Sequence, residues 1–218
     1  PSNQHGKKTS PEKRKSFTML DLKQPNHKLS ALYQELLNEI KAALDGDTQA
    51  PEWYDAVFNI TRKQMLEYMQ RRTRLQFRAG YRATGLEPET SLITDALDML
   101  ARRVDRLVSR LLNQLLKSVK ETVETNWPVR QKRAAIIAAF DALEYRIDAI
   151  FSVENSKAFY FGVAWGYRVM DTACESFSSY KDVCDLCVAS NGPINLAELS
   201  PIDVPPFHPS CRCKIKPT

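Results

Sequence analysis

Four of the chain's five cysteines fall within its last 35 residues, beside one of only three histidines. Cys184 and Cys187 form a C-x2-C pair, and His208, Cys211 and Cys213 form an H-x2-C-x-C run further on. Thiolate sulfur and imidazole nitrogen at these spacings are the donors a tetrahedral ion such as zinc takes in structural sites. Two pairs spaced by two residues, Cys184 with Cys187 and His208 with Cys211, make the most symmetrical set. Cys213 is then a neighbour or an alternative ligand, and a four-cysteine set using both Cys211 and Cys213 is the rival.

Other chemistries compete for the same residues. The two loops could be joined by a disulfide formed after release from the cell, or the thiols could stay reduced and unliganded. A C-x-x-C redox motif needs the N-terminus of a helix packed on a βαβ sheet, and nothing upstream reads as βαβ. A Cys/His nucleophile pair using His208 is conceivable. The nearby prolines and the crowd of thiols favour a closed structural site instead. No Walker loop, dinucleotide fingerprint, HExxH or GxSxG element occurs, so the chain reads as a non-enzyme.

A module of this kind needs such a staple. From 176 onward the chain holds ESFSSYKDV, a short strand or extended segment, an Asn191-Gly192-Pro193 turn, and the proline-rich SPIDVPPFHP, which cannot be helical. It is too short and too poor in apolar residues to fold by burial alone. Cys174 lies outside the cluster, on the preceding helix, and reads as a buried apolar residue.

Long helices must carry this module. Seven glycines are few for a fold rich in tight turns, and the twelve prolines gather near the two ends. A first helix is expected over 27–45, on the stripe Leu29, Leu32, Leu36, Leu37, Ile40 and Leu44, and a second over 51–83. Ile93, Leu97, Leu100, Val104, Leu107, Leu111, Leu115, Val119 and Val123 then step by four or three along one seam of about 30 residues, a bundle or hairpin element. Asn126-Trp127-Pro128 stops it. A helix over 128–151 folds back along it, with Ile136, Ala139, Phe140, Leu143, Ile147 and Ile150 inward, and another follows over 153–175. In the latter, Gly162 sits on the face of Ala158, Trp165 and Val169, where it would let another backbone approach. The expected architecture is mainly α: a long antiparallel helical bundle or hairpin (27–175), followed by a small irregular α+β metal-stapled module (176–218).

Charge is unevenly placed. Residues 1–16 carry Lys7, Lys8, Lys13, Arg14 and Lys15 against Glu12, most of the chain's net +5, and a polar arm over 1–26 of this kind is expected to be flexible. Arg62, Lys63, Arg71, Arg72, Arg74, Arg78 and Arg82 stand against one acid, Glu67, between 62 and 82 of the second helix. Lys7, Lys8, Arg71, Arg72, Arg74 and Arg78 are thus candidate contacts to nucleic acid or to an acidic partner. Helical spacing alone spreads the helix charges around the axis, and a solvated helix face is the plainer reading. A zinc-containing nucleic-acid-binding module is the alternative function. No apolar run is long enough to span a bilayer, and the N-terminal residues lack the apolar stretch of a secretory signal.

The ending Asp182-Val183-Cys184-x-x-Cys187, then Asn191-Gly192, then Pro205-Pro206-Phe207-His208-Pro209-Ser210-Cys211-Arg212-Cys213 resembles the Mu gene-F-like minor head proteins of tailed bacteriophages, also called phage head morphogenesis proteins. The helix before it is similar too, with Glu154, Ala158 and Gly162 in corresponding places. The resemblance covers 146–218. Asn191 stands where the family usually has Asp, and Phe177 or Tyr180 where it often has Trp. The resemblance implies a structural virion protein, bound to the portal or the major capsid protein inside the head, acting in head morphogenesis, DNA packaging or ejection. It implies contact with packaged DNA as a further role, a host-cytoplasmic stage during assembly, and neither membrane nor small-molecule substrate.

Overall fold

The computed structural model describes residues 27–46, 51–178, 183–209 and 211–218. The basic arm with Lys7 and Lys8, and Tyr180, Asp182 and Ser210 of the C-terminal motif, lie outside them. Four long helices, α1 (His27–Asp45), α2 (Pro51–Ala83), α3 (Thr90–Val123) and α4 (Val129–Val169), are followed by β1 (Cys174–Phe177), the short α5 (Asp185–Ser190), β2 (Gly192–Pro193) and β3 (Lys214–Pro217). The strands form one antiparallel sheet in the order β2-β1-β3. This is the expected mainly-α body with a small α+β ending. No helix among the described residues is long and apolar enough to cross a membrane.

Short loops force successive helices to run antiparallel. Lys120 pairs with Asp55, and Arg62 donates to Asn113, along the α2–α3 seam. Arg103 pairs with Glu154 between α3 and α4. Tyr33 donates to the Phe140 carbonyl at 2.8 Å and Arg133 pairs with Asp45, fixing α1 on the first half of α4. α1 has 19 residues, whereas α2, α3 and α4 have 33 to 41, so α1 covers only one end of the bundle. There the four helices share a core around Tyr33, Phe58, Leu112 and Phe140. At the other end the C-terminal module replaces α1 as the fourth wall, and Cys174, Leu199 and Val204 join Phe77, Tyr81, Ile93, Phe161 and Trp165 in a second core.

α4 corrects the expected division at 151–153: it is one helix of 41 residues. No Gly or Pro interrupts it before Gly162, so nothing breaks its hydrogen bonds. What changes at 151 is the burial. The first half buries one stripe, and from Phe151 to Gly166 twelve of sixteen residues are buried, because α2, α3 and the module surround it. The helix also ends at Val169, not 175. Asp171 takes the left-handed conformation (φ 50°), and the Thr172 and Asp171 N–H groups return to the Tyr167 and Arg168 carbonyls, a Schellman ending built without glycine. Cys174 therefore sits at the start of β1 instead of on a helix; it is buried as expected, and burial pushes its thiol up to about 11.

The seam of α3 is wider than one row. Ala96, Val108 and Leu112 are buried beside Ile93, Leu100, Val104, Leu115 and Val119, whereas Leu97, Leu107, Leu111 and Val123 are half-buried, since partners on two sides cover a broader arc than one stripe. Gly162 acts as its position suggested. A Cβ there would run into the Phe77 carbonyl of α2, and one on Gly80 would run into the Phe159 carbonyl of α4. The two backbones touch at these paired glycines, beside the end of the bundle that receives the module.

Tyr33 ties α1 down and gives the fold an alkaline limit. Burial, with Glu144 and Asp141 nearby, pushes its hydroxyl well above the ordinary 10.0. The protonated form is favoured by folding, so the stabilisation is whole below about pH 10 and falls as pH rises beyond it. Tyr33→Phe should cost about 1 kcal/mol at neutral pH and flatten the alkaline loss of stability, as read by denaturant unfolding from pH 8 to 11.

Candidate metal centre

Each donor is placed by a different piece of the module. Cys184 is the N-cap of α5 and Cys187 lies in its first turn, the usual way for a C-x2-C pair to aim two sulfurs at one point. α5 is held to the sheet by Ser176 of β1, whose hydroxyl donates to the Ser190 carbonyl at 2.5 Å. His208 and Cys211 are joined by a turn in which the Cys211 N–H donates to the His208 carbonyl at 3.1 Å. Cys213 directly precedes β3, which pairs with β1 from Cys174↔Pro217 to Phe177↔Lys214. The loop leading to His208 is anchored on α4: buried Lys157 donates from Nζ to the Val204 carbonyl at 3.1 Å and lies 5.8 Å from the centre of the Phe207 ring.

These pieces bring all five candidates together. His208 Nε2 lies 3.0 Å from Cys184 Sγ and 3.0 Å from Cys187 Sγ. Cys187 Sγ lies 3.5 Å from Cys211 Sγ. Two sets of donors each fall within 4.8 Å, Cys184–Cys187–His208 and Cys187–Cys211–Cys213, and Cys187 belongs to both. Tetrahedral bonds of about 2.0–2.3 Å would separate neighbouring donors by about 3.6–3.8 Å, so each set of three has the spacing of part of a four-coordinate site, with Cys187 common to both. All five cysteines are free thiols, so the geometry holds the sulfurs in contact without a disulfide.

The histidine is already oriented. Its Nδ1 is 2.5 Å from the Pro209 carbonyl, which can only accept, so Nδ1 carries the proton and the Nε2 lone pair faces the sulfurs. Burial pushes the Cys187 thiol up, reinforced by Cys213, Cys211 and Cys184 around it, and burial also raises Cys213. Cys211 goes the other way. Burial raises it, but hydrogen bonds from the backbone at Cys213 and Phe207, and from the Cys187 and Cys213 thiols, outweigh that and hold it below the ordinary thiol value. Such crowded sulfurs cannot all ionise side by side without a cation among them, and a metal ion is what lets them do so. The Cys/His cluster can thus hold a metal ion. A thioredoxin-like setting is missing, since the described strands form only a small antiparallel sheet.

The other candidate residues lie on α2, outside this cluster. Arg71, Arg74 and Arg78 are exposed on α2, while Arg72 is half-buried with its Nε enclosed. Sequence reasoning missed the buried polar group beside the module. Glu154 and Lys157 are 4% and 6% exposed, and Arg103 reaches Glu154 with Nε at 2.5 Å and Nη2 at 2.8 Å. Burial and the Arg103 charge lower the Lys157 pKa. The available signal was the E-x-x-K spacing on an otherwise apolar stretch of α4. Comparison with known families, curated proteins and solved structures finds no match for this chain.

Proposed function

We propose that the chain is a structural minor head protein of a tailed bacteriophage, with a helical body docking on the portal or the capsid lining and a zinc-stapled tip. The observation that carries this reading is the resemblance of the ending, Val183-Cys184-x-x-Cys187 to Pro205-Pro206-Phe207-His208-Pro209-Ser210-Cys211-Arg212-Cys213, whose metal-type residues meet in one cluster at the end of a long helical bundle. Zinc suits a set of soft sulfurs with one imidazole in a closed structural role. Cys184, Cys187, His208 and Cys211 are the proposed ligands: His208 Nε2 bridges the first two, and Cys211 lies next to Cys187 with its thiol held below the ordinary value. Cys213 is the alternative ligand. The protein's place is the head interior or portal vertex, reached from the host cytoplasm during assembly.

The test is fractionation. The protein should co-purify with portal protein and with procapsids and heads from infected cells, at few copies per particle. Its absence from both particles and portal complexes would refute the reading.

A further inference from the structure

The basic residues of α2 form a one-sided stripe. Lys63, Arg71, Arg74, Arg78 and Arg82 are all exposed, and at 3.6 residues per turn they fall within about a third of the helix circumference. The row is about 28 Å long. The spread that spacing alone suggested is removed by packing: Arg62 and Arg72, the two that point elsewhere, are half-buried, and Arg62 is engaged by Asn113. Arg82 pairs with Glu87. Lys63, Arg71, Arg74 and Arg78 have no ion pair among the described residues, and Glu67 is the one acid in the row.

A solvated helix face usually mixes its signs. The neighbouring α3 does so, with three acids (Asp95, Asp98, Asp105) and three bases (Arg102, Arg106, Arg110) exposed among one another and a Lys117–Glu121 pair. On α2 the like charges instead stand at i,i+3 and i,i+4 (Arg71 to Arg74, Arg74 to Arg78, Arg78 to Arg82), where they repel. A polyanion relieves that repulsion. Arginine forks grip phosphate oxygens two at a time. The aromatic residues of α2 are turned inward or half-covered, so the stripe offers no platform for stacking unpaired bases. The large exposed apolar residues of α2 are Ile60 and Leu75, too few for the apolar centre of a protein interface. We infer that this stripe binds the phosphate backbone of duplex DNA without regard to sequence. The inference stands on the charge geometry of α2 and does not rest on the head-protein reading.

The test is binding of the full chain to a fluorescent duplex of about 30 base pairs of arbitrary sequence, measured from 50 to 200 mM salt. Four unpaired cations predict a contribution of about −3 to −4 to the slope of log affinity against log salt, worth about a hundredfold over that range. Arg71→Gln/Arg74→Gln/Arg78→Gln together should remove about 3 of that slope and weaken binding at least tenfold at 50 mM salt, with helix content and metal content unchanged. Lys7→Gln/Lys8→Gln should keep most of the affinity. The proposal is overturned by undetectable duplex binding, by a triple variant that binds as the parent does, by tighter binding to a single strand of equal length, or by stripe-dependent capture of polyglutamate with no binding to DNA.

Discussion

Cys187→Ser should abolish stoichiometric metal binding and loosen the C-terminal module while the four long helices remain folded. Cys187 Sγ is the one donor common to both clusters, and no three of the remaining candidates lie within 4.8 Å of one another. Losing it should weaken metal binding by more than about a hundredfold, beyond what loss of an outer-shell partner costs. Amide exchange should then rise across β1, α5 and β3, which together bury few apolar side chains. The α1-side core around Tyr33 and Phe140 should keep its protection, since no residue of the module contributes to it. Cys213→Ser is the companion variant and should keep one metal per chain. Should Cys213→Ser lose the metal while His208→Ala keeps it, the four-cysteine set is the correct one.

Arg103→Ala should cost about 3 kcal/mol of stability, more than loss of any exposed ion pair in the molecule. The change leaves the Glu154 carboxylate 4% exposed and without its guanidinium. The figure sits at the low end of the range for broken buried pairs because Arg103 keeps a fifth of its side chain in solvent. Arg103→Met with Glu154→Leu should recover most of the loss, since both charges of the pair are replaced by apolar groups and buried Lys157 loses its repulsion from Arg103 together with its attraction to Glu154. Urea unfolding of Arg103→Met, Glu154→Leu and the double variant measures the coupling directly. Equal losses in Arg103→Ala and in the double variant would show that the pair carries packing alone. The exposed Lys117–Glu121 pair is the internal comparison, and breaking it should change stability by less than about 0.5 kcal/mol.

The helical body was legible because its signals are local. Leu29 to Leu44 and the long seam from Ile93 each repeat at helical spacing, and Pro51, Gly85 and Pro128 punctuate the chain where the helices begin or end. Gly162 was legible as a close-approach residue; its counterpart Gly80 was not, because only the packed pair shows which backbone each glycine meets. The continuity of α4 was hidden by a change in which faces are buried, a property of the module wrapped around it and not of the residues at 151–153. Asp171 hid the end of α4 because a left-handed cap is more often glycine. The metal-type residues were legible from spacing, but spacing gives no depth. Cys184 is exposed while Cys187 and Cys213 are buried, and Cys187 as the shared donor emerges only when α5 and the His208–Cys211 turn face one another. The one-sidedness of the α2 arginines likewise depends on which of them packing removes.

We propose above all that a single metal ion staples the C-terminal module internally, joining α5 to the His208–Cys211 turn. Elemental analysis of the 218-residue chain, purified without chelator and paired with thiol titration before and after unfolding, tests it most directly. The account predicts one zinc per chain, ligand thiols that resist titration until unfolding or chelation releases the ion, and loss of both features in Cys187→Ser. A metal-free protein whose exposed Cys184 reacts at once, with an unchanged module, would contradict it.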